Sequence, residues 1–138
     1  MRGRRGADPR EVTLSVGPGT ATRLARALET AAPLSSLVLL CSTDADAAET
    51  ALLRETRIED WVGRHGTEIA VVLTALPADL DAVADRLLSV VERATGAPAA
   101  AGLTRVVPGI PLDQHLDRAR RGLAVAWACG GSRAVRYP

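Results

Sequence analysis

Residues 61–64 (WVGR) and 68–74 (EIAVVLT) are two strand-like stretches held apart by His65, Gly66 and Thr67. A connection this short with a glycine inside it signals a β-hairpin, because glycine takes the left-handed backbone of a tight turn at no steric cost. No other feature constrains the fold as much. A sheet that contains a hairpin has an antiparallel pair, which excludes a purely parallel, doubly wound architecture. Before the hairpin, Ala21, Leu24, Ala25 and Leu28 recur at helical spacing between Gly19 and Ala32, just ahead of Pro33. Ser35–Cys41 (SSLVLLC) is a short run rich in branched side chains, expected to be a strand buried on both faces. Ser42, Thr43 or Asp44 is the expected N-cap of a short helix that follows. After the hairpin, Leu80, Val83, Ala84, Leu87 and Val91 make an apolar stripe on a helix expected from Pro77 to Ala94. A strand is expected over Ala99–Val106, then a helix over Leu112–Cys129 stopped by Gly130 and Gly131, then a short strand over Arg133–Tyr137. The order is helix, strand, helix, hairpin, helix, strand, helix, strand. This is an α+β chain with helices packed on a mostly antiparallel sheet.

At 138 residues the chain fits one domain. Residues 1–10 hold four Arg and no apolar periodicity and read as a disordered basic tail, leaving 11–138 as the domain. The net charge of +1 supplies no global field for nucleic acid or membrane. Two Trp and one Tyr give no stacking platform for single-stranded nucleic acid. All 17 basic residues are Arg, so no lysine amine is available for Schiff-base chemistry. Cys41 and Cys129 lack metal spacing and are expected to be reduced thiols of a cytoplasmic protein. No Walker loop, dinucleotide glycine fingerprint, CxxC, HExxH or GxSxG is present.

Two strings carry a resemblance. Asp60–Leu73 (DWVGRHGTEIAVVL) is similar to the hairpin of the GGDEF family, the diguanylate cyclases that join two GTP into cyclic di-GMP. Leu116–Tyr137 (LDRARRGLAVAWACGGSRAVRY) resembles that family's closing helix and strand, and Ala101-Gly102 sits where the family has a Ser-x-Gly strand. The resemblance spans roughly residues 19–137 in order. It implies the palm-like sandwich of nucleotide cyclases.

The departures bear on activity. The family holds its cations with a carboxylate at the end of the strand matching Leu37–Cys41 and another in the turn; here Cys41 and Thr43 stand at the first place, and Thr67 precedes Glu68 at the second. In the turn itself, His65-Gly66 replaces the paired glycines. A thiol and a hydroxyl are poor ligands for Mg²⁺ at neutral pH, so no Mg²⁺ site and no cyclase activity are expected. Asp44 or Asp46 restores a ligand if the strand runs further. Trp127 replaces the Lys, and Arg120 the Asp, of the family's closing helix. The helix after the first strand is also short and lacks the family's guanine-holding Asn and Asp.

What the resemblance preserves is an Arg-x-x-Asp pair, the family's product-binding motif, at Arg57 and Asp60. The spacing to Gly66 matches when the turn has lost one residue. An Arg fork donates to the O6 and N7 of guanine, and a carboxylate accepts from its N–H groups. About one Arg-x-x-Asp arises by chance in a chain of this composition, and Arg5–Asp8 is another. Position beside the hairpin therefore matters more than the string. Trp61 and His65 are candidates to stack on a base, and Arg54 and Arg64 to meet phosphate. The expected function is an inactive cyclic di-GMP receptor whose ligand joins two copies; a ligand-free protein-interaction scaffold, using the surface near Trp127, is the alternative.

Overall fold

The computed structural model describes residues 18–137; the expected tail at 1–10 and its Arg5–Asp8 pair lie outside them. The elements follow in the expected order: α1 (Pro18–Glu29), β1 (Ser35–Cys41), α2 (Ala45–Glu55), β2 (Trp61–His65), β3 (Glu68–Thr74), α3 (Leu80–Thr95), β4 (Ala100–Arg105), α4 (Leu112–Ala128) and β5 (Arg133–Arg136). They build a five-stranded sheet in the order β2-β3-β1-β4-β5. Every pair is antiparallel except β4 with β5.

β1 lies at the centre because its side chains are apolar on both sides. Leu37 and Leu39 face one layer with Leu24 and Leu28 of α1 and Leu116 and Ala119 of α4. Val38 and Leu40 face the other, with Leu52 of α2 and Leu80, Leu87 and Val91 of α3. Truncating any of these leucines to Ala costs about 2–5 kcal/mol. Asp44 proves to be the cap of α2, its Oδ1 accepting from Ala47 N at 3.1 Å. Gly66 turns the hairpin with φ +64°.

Several boundaries differ from expectation, most of all the end of α1, which stops at Glu29 rather than Ala32, and the start of α3. α3 begins at Leu80 rather than Pro77, because Pro77 occupies the second position of a turn closed by Asp79 N to Leu76 O at 2.9 Å. Proline's fixed φ suits that position as well as it suits a first helical turn.

α4 is seated unusually close to the sheet. A Cβ on Gly102 of β4 would stand 2.0 Å from Ala119 O and 2.4 Å from Leu123 N, and one on Gly122 would stand 2.3 Å from Val135 O. Backbone meets backbone there. This seating sets Arg120, the next residue after Ala119, within reach of β3.

Candidate functional site

The two ends of the sheet hold the two groups of residues singled out above. At the end formed by the C-terminus of β1, Cys41 pairs in register with Glu68 on one side and Ala100 on the other. The Cys41 side chain packs against Leu123 and Ala126 of α4. Glu68 is clasped by Arg120: Nε lies 3.2 and 3.0 Å from its two carboxylate oxygens, and Nη2 lies 2.8 Å from Oε1. These hydrogen bonds to Glu68 hold the Arg120 guanidinium above its ordinary pKa. Asp44 is spent on its helix cap, and Asp46 pairs with Arg64, which also donates to Glu49 at 3.3 Å. Neither aspartate joins Glu68. Thr43 and Thr67 are exposed, and His65 is half-buried opposite Glu68 in the hairpin register. Trp127 is 40% exposed near the end of α4, its ring beside Gly131. A thiol, two exposed hydroxyls and a carboxylate already clasped by a cation are a poor match for a hard divalent ion.

The opposite end is different. Arg57 and Asp60 line one cleft of about 550 Å³, together with Thr74 of β3 and Arg86 of α3. The turn that carries them is tied by Arg57 N donating to Asp60 Oδ2 at 2.9 Å. Arg57 Nη2 donates to Thr74 O at 3.0 Å, which fixes the guanidinium against the end of the sheet. Its Nε stands 3.8 Å from Asp60 Oδ2, and its side chain stays 62% exposed. Asp60 is the reverse case. Its side chain is 6% exposed, and its second oxygen, Oδ1, is buried with no hydrogen-bond partner. A buried acceptor left without a donor costs roughly 1–3 kcal/mol, so such atoms ordinarily find a partner.

Four expected ligand residues do not join this cleft, among them His65, which lies opposite Glu68 at the other end of the sheet. Trp61 faces the other side of the sheet and packs with the α1–α4 layer, because successive strand residues point to opposite faces. Arg64 faces α2 and is held by Asp46 and Glu49. Arg54 is exposed on α2 and does not line the cleft. Arg86 is the residue that sequence reasoning missed. It sits on the polar side of an amphipathic helix, where nothing in the sequence marks it out.

No family model and no curated protein matches the sequence. Solved structures do match the fold. The GGDEF domain of DgcB from Caulobacter crescentus, in complex with c-di-GMP, superposes with a TM-score of 0.69 at 11% identity, over 94% of this chain and 99% of that one. The chain has the GGDEF fold. An EAL/GGDEF domain protein from M. capsulatus gives 0.66 at 15% identity, over 88% and 97% of the two chains. The diguanylate cyclase SiaD from Pseudomonas aeruginosa, solved with its activator SiaC, gives 0.66 at 19% identity, over 87% of this chain and 60% of SiaD. The GGDEF fold expected from the hairpin and closing-helix strings is therefore present. Among the described residues no helix is long and apolar enough to cross a membrane.

Proposed function

We propose that this GGDEF-fold domain is a receptor for cyclic di-GMP without cyclase activity, reading guanine through Arg57 and Asp60. The observation that carries the reading is the orphaned Oδ1 of Asp60, buried beside a cleft whose rim holds an exposed guanidinium. An N–H donor of a guanine ring supplies the missing partner, and the remaining N–H groups of Arg57 meet the acceptors on the purine's other edge. Arg86 lines the same cleft, paired with Glu55 at 3.6 Å, and a ligand phosphate would compete with that carboxylate for it. Three of the solved structures that share the fold are of GGDEF domains with this dinucleotide. The absence of cyclase chemistry rests on the other end of the sheet, where Arg120 takes both oxygens of Glu68 and Cys41 faces apolar side chains.

Titration calorimetry with cyclic di-GMP tests the proposal. Wild type binds in the micromolar range, and Arg57→Ala removes the heat. Incubation with GTP and Mg²⁺ or Mn²⁺, followed by chromatography, yields no cyclic di-GMP. The alternative is a protein-interaction scaffold, which the exposed Val125 and Trp127 of α4 favour. It predicts no heat from cyclic di-GMP with either protein.

A further inference from the structure

The Arg57–Asp60 cleft does not stop at the edge of β3. Leu34 lines it, and Leu34 also lines a second hollow of about 500 Å³ between α1 and the loop joining β4 to α4. This leucine holds a φ of +67°, a left-handed conformation uncommon outside glycine, and it remains 41% exposed. A strained, exposed apolar residue therefore forms the ridge between two concavities, the kind of backbone outlier that clusters at ligand sites.

The second hollow offers a flat apolar face flanked by two charged residues, Glu29 on the α1 side and Arg105 on β4. Pro33, Val107 and Ile110 line it, and Arg105 stands at its rim. The Arg105 guanidinium has no hydrogen-bond or ion-pair partner among the described residues. The wall made by the β4–α4 loop is fixed in advance. His115, 2% exposed, accepts from Val107 N through Nε2 at 3.0 Å, so its proton sits on Nδ1 and is donated to Pro111 O at 3.2 Å. Strand register sets the span. Thr74, which holds Arg57, is opposite Ser35 of β1, and Arg105 is opposite Ser36 on the other side. The two positions are two strands apart, about 10 Å.

We propose that the two hollows form a single two-base site. One guanine meets Arg57 and Asp60, the ligand backbone crosses Leu34, and the second base lies in the apolar hollow with Arg105 donating to its edge. The inference rests on the guanine reading of Arg57 and Asp60. It adds to that reading a second base-binding half, which a mononucleotide leaves empty.

Calorimetry with cyclic di-GMP and with GMP, on wild type, Arg57→Ala and Arg105→Ala, separates the two claims. Arg105 is exposed, so its replacement leaves the fold intact. Arg105→Ala is expected to weaken cyclic di-GMP about tenfold while GMP binds as to wild type, and Arg57→Ala to weaken both. Unchanged cyclic di-GMP affinity in Arg105→Ala, with Arg57→Ala still defective, overturns the second half and leaves the guanine site standing. Parallel losses of both ligands in Arg105→Ala also overturn it. Failure of wild type to bind cyclic di-GMP overturns both claims.

Discussion

The two ends of the central sheet contrast in how their charged groups are satisfied. At the β1 C-terminus Glu68 has Arg120 on both oxygens, Asp46 has Arg64, and Asp44 has the first turn of α2. At the other end Arg57 pairs with Glu59 and Arg86 with Glu55, yet Asp60 keeps a buried oxygen without a donor, and the Arg105 guanidinium lacks a partner among the described residues. A site that has neutralised itself has little left to offer a ligand. A site with unspent hydrogen-bonding capacity in a cleft offers a good deal, because satisfying it on binding recovers free energy the free protein forgoes. The proposed function assigns recognition to the Arg57 end and structural cohesion to the Glu68 end.

The strongest way to break that contrast is at Arg57. Arg57→Ala is expected to lower affinity for cyclic di-GMP about a hundredfold, while Arg120→Ala leaves it unchanged; calorimetry on the pair reverses the assignment if the losses are exchanged. Asp60→Asn keeps an acceptor for Arg57 N but puts an amide where a carboxylate should receive guanine N–H groups. Its expected loss is about tenfold, read as a fall in preference for cyclic di-GMP over cyclic di-AMP. At the cohesive end, Arg120→Ala is expected to lower stability by about 1 kcal/mol, since the guanidinium is half-exposed and screened. Urea denaturation measures it, and a loss of ligand affinity there counts against the division.

Acid sharpens the comparison further. Burial pushes His115 below its ordinary value of 6.5, more than its bond to Pro111 raises it, and Arg118 lowers it too. The fold therefore favours the neutral ring. Its contribution is complete above 6.5 and is lost as pH falls from there through the lowered folded value. Thermal melts from pH 7 to pH 5 should show declining stability that His115→Gln flattens. The smallest expected effect is at Arg64→Ala, a few tenths of a kcal/mol, because one of its two carboxylate partners on α2, Asp46, is almost fully solvated.

Local chemistry made most of the fold legible. The apolar run from Ser35 to Cys41 coincides with β1, and Gly66 marks the hairpin turn, because each is decided within a few residues. Arg57 and Asp60 were legible together for the same reason, being three apart on one turn. The rest of the site depends on facing and on distance along the chain. Trp61 and Arg64 stand near Asp60 in sequence, yet the pleat turns Trp61 to the other face and the length of β2 carries Arg64 towards the Glu68 end. Glu68 and Arg120 meet across 52 positions, and Arg86 and Arg105 reach the end of the sheet from α3 and β4. No periodicity encodes such meetings.

The contact of Gly102 and Gly122 has a mechanical consequence. With no cushion of side chains between helix and strand, there is nothing on which α4 can slide, since close-packed interiors transmit displacement instead of absorbing it. Under the proposed binding, a signal from the ligand would travel through the pieces without that weld: the 56–60 turn, the Leu34 corner and the rim of α3.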